Sequence, residues 1–154
     1  MSQPIGPMDP DVDLRMPADR AELRPSPLPV VTAVAAGGVL GALARQGVSV
    51  LWPHDPTGFP CSIWTVNLSG CFLIGILMVL IARRWPAQRL IRPFFGVGIL
   101  GGYTTFSTSV VDVQQAAGHG APGTAMLYLA ATVVGALVAV WLGTAATESL
   151  VRPR

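Results

Sequence analysis

An all-α membrane protein with four transmembrane helices, the third of them broken, is what this 154-residue chain predicts. Three observations carry that expectation. Hydrophobic residues make up 51% of the chain and charged residues 12%, with no lysine, a balance foreign to a soluble domain of this length. Four apolar stretches, Val30 to Trp52, Cys61 to Ala82, Leu90 to Ala117 and Pro122 to Thr144, each reach the roughly 20 helical residues that cross a bilayer core. The third stretch is interrupted by Gly98-Ile-Leu-Gly101-Gly102-Tyr103-Thr104-Thr105-Phe106-Ser107-Thr108-Ser109, which sets three glycines and five Ser/Thr hydroxyls in apolar surroundings. Unpaired backbone groups are expensive in hydrocarbon, so such a break is tolerated only where protein or a water-filled path covers it. Irregular backbone at that depth predicts a site for an ion or a small polar solute.

The flanks divide the chain into three parts. Residues 1–29 are polar and proline-rich, without the basic start, apolar middle and cleavage site of a signal peptide, and read as a disordered cytoplasmic tail. Residues 30–144 form the four-span domain, and 145–154 a short cytoplasmic C-terminal tail. Cys61 and Cys71 lie on one predicted helix, about 15 Å apart along its axis, too far for a disulfide. They read as small packing residues. With four spans, both termini and the loop between spans two and three share one side, which carries every arginine except Arg45. The positive-inside rule then places both termini in the cytoplasm, in a cell inner membrane crossed several times.

Within the spans, small residues recur at helical spacing. Gly37, Gly41 and Arg45 lie four apart, with Gly38 and Ala42 beside them, and Gly135, Ala139 and Gly143 make a similar row in the fourth span. Such rows let helices approach closely. Arg45 has two readings: snorkelling to headgroups, or raising the potential at the mouth of an anion path. Asn67, in the second span, either glues two helices or offers an uncharged amide donor to a pore, where it holds an anion without trapping it. Tyr128 and Thr132 share one face of the fourth span and extend a line of donors.

In order across the four spans, Gly37-Gly38-x-x-Gly41-Ala42-x-x-Arg45, Val66-Asn67-x-x-Gly70-x-Phe72-x-x-Gly75 and Gly98-x-x-Gly101-Gly102-x-Thr104-Thr105-Phe106-Ser107-Thr108 resemble the CrcB/Fluc fluoride channels over residues 30 to 144. That resemblance implies an antiparallel dual-topology dimer with two pores, passive fluoride export that relieves toxicity, and a structural sodium ion at the dimer centre. It further implies that Asn67 lines the pore and that Phe106 belongs to an aromatic box meeting fluoride by its electropositive ring edges. Gly101 and Thr104 would supply backbone carbonyls to sodium. Thr132 and Tyr128 match a polar track on the fourth span, and Arg45 matches an arginine of the first.

The chain departs from the pattern at several positions. Ser109 stands where a second Phe is usual, Ser62 and Ile63 where Gly-Thr is common, and Ala136 where a further hydroxyl is expected. Asp112 stands where an acidic residue is often found, and reads as a cytoplasm-facing or interfacial carboxylate rather than a pore residue. An antiparallel homodimer needs a chain that inserts both ways, and the one-sided arginines oppose that. The expectation is therefore an obligate heterodimer with a paralogous subunit of opposite orientation.

Two other classes compete. A small multidrug-type proton-coupled exporter needs a buried carboxylate in the first span, and no Asp or Glu lies between Val30 and Trp52. A non-transporting membrane assembly subunit would also use small-residue rows. An enzyme is not expected: His54 and His119 sit in loops, solvated or at headgroup level, outside metal-ligand spacing, and no phosphate loop follows a strand. The arginines are placed as topology determinants rather than as a stripe, so nucleic acid is not an expected partner.

Overall fold

A computed structural model describes residues 27–151. The expected N-terminal tail, up to residue 26, and residues 152–154 of the C-terminal tail lie outside the described residues. Four helical spans, Leu28–Leu51, Cys61–Arg84, Arg92–Gly118 and Pro122–Val151, are long and apolar enough to cross a membrane. Helix α1 (Leu28–Leu51) opens with Pro29 in its first turn, where a missing N–H removes no helical bond. It stops before Pro53. Helix α2 (Cys61–Arg84) ends on Arg83 and Arg84, whose charges complement the carbonyl end of the helix.

The third span is a succession of short pieces. A π-helical segment (Arg92–Leu100) leads into one turn of α-helix, α3 (Gly101–Tyr103), then two extended residues, then α4 (Phe106–Gly118). The last helix, α5 (Pro122–Val151), runs on past Thr144, with Thr147 buried and its hydroxyl bonded back to the Gly143 carbonyl at 2.7 Å. Residues 145–151, read from the sequence as tail, are thus helical.

Helix α2 packs chiefly on α5, while α1 packs chiefly on the π-helical segment and α3. Glycine decides both contacts. A Cβ on Gly75 would meet the Val140 carbonyl at 2.5 Å and the Thr144 amide at 3.0 Å, and one on Gly143 would strike the Phe72 carbonyl. On the other pair, a Cβ on Gly41 would strike the Ile99 carbonyl and lie 2.8 Å from the Tyr103 amide. Backbone therefore lies against backbone, which is how helices associate where solvent supplies no hydrophobic drive. Large apolar side chains such as Leu43, Val50, Val134, Leu137 and Trp141 face outward, as a lipid-facing surface requires. Cys61 and Cys71 are unpaired.

Substituting Gly75→Val should separate α2 from α5, because a carbonyl cannot move aside as a side-chain tip can. Overpacking of this kind destabilises by about 1–3 kcal/mol. A lowered thermal midpoint in detergent, read by size-exclusion chromatography after heating, is the expected outcome, and an unshifted midpoint would contradict this packing.

Candidate functional site

Thr104 (φ −78°, ψ 155°) and Thr105 (φ −150°, ψ 124°) are extended between α3 and α4. Two extended residues inside a span interrupt the helical ladder, and the groups released must find partners. Asn67 of α2 supplies them. Its Oδ1 accepts the Thr105 N–H at 2.8 Å, and its Nδ2 donates to the Thr105 carbonyl at 2.9 Å. The side-chain amide thus pairs with Thr105 as a neighbouring strand would. Its second N–H goes to Ser109 Oγ, also at 2.9 Å.

Ser109 is the branch point of this network. Its oxygen accepts from Asn67 and from the Tyr128 hydroxyl at 3.0 Å, and its own proton goes to the Thr105 carbonyl at 3.2 Å. All three side chains are buried, Tyr128 most completely at 1% exposure. Thr105 Oγ1 caps α4 by accepting the Thr108 N–H at 3.2 Å. Both diversions have a consequence upstream. The Thr105 and Thr108 amides are the donors that a continuous helix would aim at the Gly101 and Thr104 carbonyls, so those two oxygens lose their helical donors. The carbonyl of Gly102, which lies between them in the chain, accepts Arg45 Nε at 3.3 Å.

Close packing seats the break. Gly70 lies under the Thr104 methyl, where a Cβ would collide with it. The Thr104 hydroxyl donates to the Leu100 carbonyl at 2.9 Å, and the Tyr103 hydroxyl is 3.1 Å from Ser69 Oγ. Beside the break opens a cleft of about 370 Å³, lined by Asn67, Gly101, Thr104, Phe106, Ser109 and Thr132 among others. Phe106 is 77% exposed at its rim. Thr132 Oγ1, near the Tyr128 phenol, is buried and makes no hydrogen bond by geometry.

The structure gathers most of the residues singled out in the sequence. Asn67, Ser109, Thr132, Phe106, Gly101 and Thr104 share the cleft. Tyr128 stands behind it and touches it through Ser109, and Arg45 reaches the break from α1. Ser69 and Tyr103, and Phe59, whose ring meets Tyr128 edge-on at 5.3 Å, were not foreseen. Asp112 is 8% exposed and sits at the end of the bundle covered by the 52–60 loop, where His54 Nε2 lies 3.8 Å from its Oδ1. That is the end of the bundle opposite Leu28 of α1 and Val151 of α5. His54, expected to be solvated or at headgroup level, is 24% exposed in its loop and lies against Asp112.

Four membrane-length helices around a polar, non-helical stretch define a small multi-pass membrane protein with a built polar site in its third span. The chain matches the family described as CrcB-like protein, Camphor Resistance (CrcB), over residues 32–144, and it belongs to that family. It is 50% identical over 125 residues to the fluoride-specific ion channel FluC 2 of Streptomyces avermitilis, covering 81% of this chain and 79% of that one. FluC 1 of Streptomyces coelicolor is 48% identical over 126 residues, 82% of each chain. FluC 2 of Thermobifida fusca is 48% identical over 122 residues, 79% of this chain and 90% of its own.

Replacing Asn67 by Ala would strand the Thr105 N–H and carbonyl in a buried place, at about 1–3 kcal/mol for each group. The expected outcome is a lower thermal midpoint for the purified Asn67→Ala protein in detergent. An unchanged midpoint would mean that the amide is not what holds the break.

Proposed function

We propose that this chain is a subunit of a fluoride-selective ion channel that lets fluoride leave the cell passively across the inner membrane. The names of the relatives it matches support this reading, and one structural observation carries it: an amide, hydroxyls and an aromatic ring line a cleft at an interrupted membrane helix. Fluoride is small and strongly hydrated, so a pore must replace its water with several donors yet bind weakly enough to release it. The Asn67 amide and the Thr132 and Tyr128 hydroxyls are such donors, and Phe106 offers ring edges without a full positive charge. Arg45 adds a positive charge near the break. No step needs energy beyond the gradient, so transport is electrodiffusion.

The third helix is, on this reading, broken for two reasons. The break brings Phe106 to the cleft, and it turns the Gly101 and Thr104 carbonyls away from the helical ladder. A sodium ion, when bound, would supply a fixed charge that these hard oxygens could share. The residues fit such a group: both carbonyls have lost their helical donors, and Gly101 is exposed, open to ligands from a second subunit. We further propose that the second subunit is antiparallel and paralogous, with this chain keeping both termini in the cytoplasm. The arginine asymmetry supports this, as does the existence of relatives numbered FluC 2 and FluC 3 in one organism, Streptomyces avermitilis.

Liposomes carrying this chain with a co-expressed paralogue should release fluoride but not chloride, read by ion-selective electrodes. Phe106→Ile should slow the release at least tenfold, and replacing sodium by a large organic cation throughout purification should abolish it. Chloride release at a comparable rate would sink the assignment. A tag on the C-terminus of the chain expressed alone should be accessible from the cytoplasm only, and comparable populations on both sides would overturn the heterodimer.

A further inference from the structure

Two donors, the Asn67 Nδ2–H and the Tyr128 O–H, converge on one point, and that point is occupied by an oxygen of the protein itself. Ser109 Oγ lies 2.9 Å from the first and 3.0 Å from the second, in a buried place that opens onto the cleft. Two convergent donors in a buried place are a cradle for a small anion, and fluoride is isoelectronic with hydroxide and close to it in size. Beside the cradle, Thr132 Oγ1 is buried, lines the same cleft and makes no hydrogen bond by geometry.

We propose that Ser109 is an internal stand-in for the anion: its hydroxyl holds the Asn67 and Tyr128 donors until fluoride displaces it, with Thr132 supplying a third donor. The proposal rests on the channel reading above and concerns the same site. A serine on a helix has three staggered χ1 wells, so the oxygen can leave the cradle by rotating about one bond. The Ser109 proton already goes to the Thr105 carbonyl at the longest distance of its three bonds, 3.2 Å. Fluoride must then compete with a neutral oxygen for the same donors, so each ion is bound less tightly than by a bare cradle and leaves faster. A purely structural hub would behave otherwise, since its removal could only weaken the fold around two stranded donors.

The concentration dependence of fluoride release separates the two roles. In vesicles holding the full-length chain with its paralogue, Ser109→Ala should lower the half-saturating fluoride concentration about tenfold, the scale of the two neutral hydrogen bonds with which the hydroxyl competes for these donors, and lower the maximal rate. In a Tyr128→Phe background the same substitution should gain much less, because one of the two donors is gone. A half-saturating concentration that is unchanged or raised in a monodisperse Ser109→Ala protein overturns the proposal, as does a gain that survives Tyr128→Phe. Should Ser109→Ala fail to fold, Tyr128→Phe alone carries the test: it must raise the half-saturating concentration, and an unchanged value overturns the cradle. Wild-type vesicles that release no fluoride would overturn the channel reading and this inference with it, whereas wild-type release with an unshifted variant overturns the inference alone.

Discussion

The pairing of one side-chain amide with one extended residue is the constraint on which the rest of this molecule depends. A membrane helix can be interrupted only if the freed backbone groups are met by protein or water. Asn67 meets the N–H and the carbonyl of Thr105 together, at 2.8 and 2.9 Å, and still has a second N–H for Ser109, where a hydroxyl would have one proton to give. The amide thus does what the helix-glue reading of Asn67 expects, and it lines the cleft as well. It lines the cleft because it clamps the break, and its second N–H goes to Ser109, which lines the cleft beside it.

The glycines make that geometry reachable. An amide on α2 can span to the backbone of the third helix only if the two run close, and Gly70 lets the Thr104 methyl settle where a Cβ would stand. On the far side, Gly37 and Gly41 bring α1 so near the π-helical segment that backbone touches backbone, which leaves Arg45 within reach of the Gly102 carbonyl at 3.3 Å. Arg45 thus anchors the break from α1, whichever field it also adds. Rigid packing on both flanks matters for an ion path, because donors placed loosely would close over a small anion as a chelate.

Much of this is legible in the sequence, for physical reasons that hold residue by residue. Span number follows from hydropathy, and the break follows from Gly101-Gly102 and Thr104-Thr105, because those residues are costly in a plain membrane helix. Small-residue rows at a spacing of four announce the close contacts of Gly41 and Gly143. What stays hidden is whatever depends on distance across the fold. Ser109 reads as a lost aromatic when set against the family pattern, whereas in space its hydroxyl joins Asn67 to Tyr128. Asp112 and His54 are separated in the chain by all of α2 and most of the third span, yet by 3.8 Å in the fold, and no local pattern links them. The run of α5 past Thr144 is equally hidden. Thr147 and Glu148 look like the start of a polar tail, yet the Thr147 hydroxyl is satisfied within its own helix.

Exposure at the site bears on assembly. Phe106 and Gly101 both face outward, the first as a bare ring and the second as open backbone, while the donors behind them are buried and internally satisfied. An aromatic ring left open to lipid has no anion to meet, and a carbonyl released toward lipid has no donor. On the channel reading proposed above, each would be met by another surface laid against this one. On that same reading, the single chain completes the donor half of the site and leaves the aromatic and carbonyl half open. A partner that supplies the missing wall would turn the cleft into a passage, and the one-sided arginines of this chain require that such a partner, if antiparallel, carry the opposite bias.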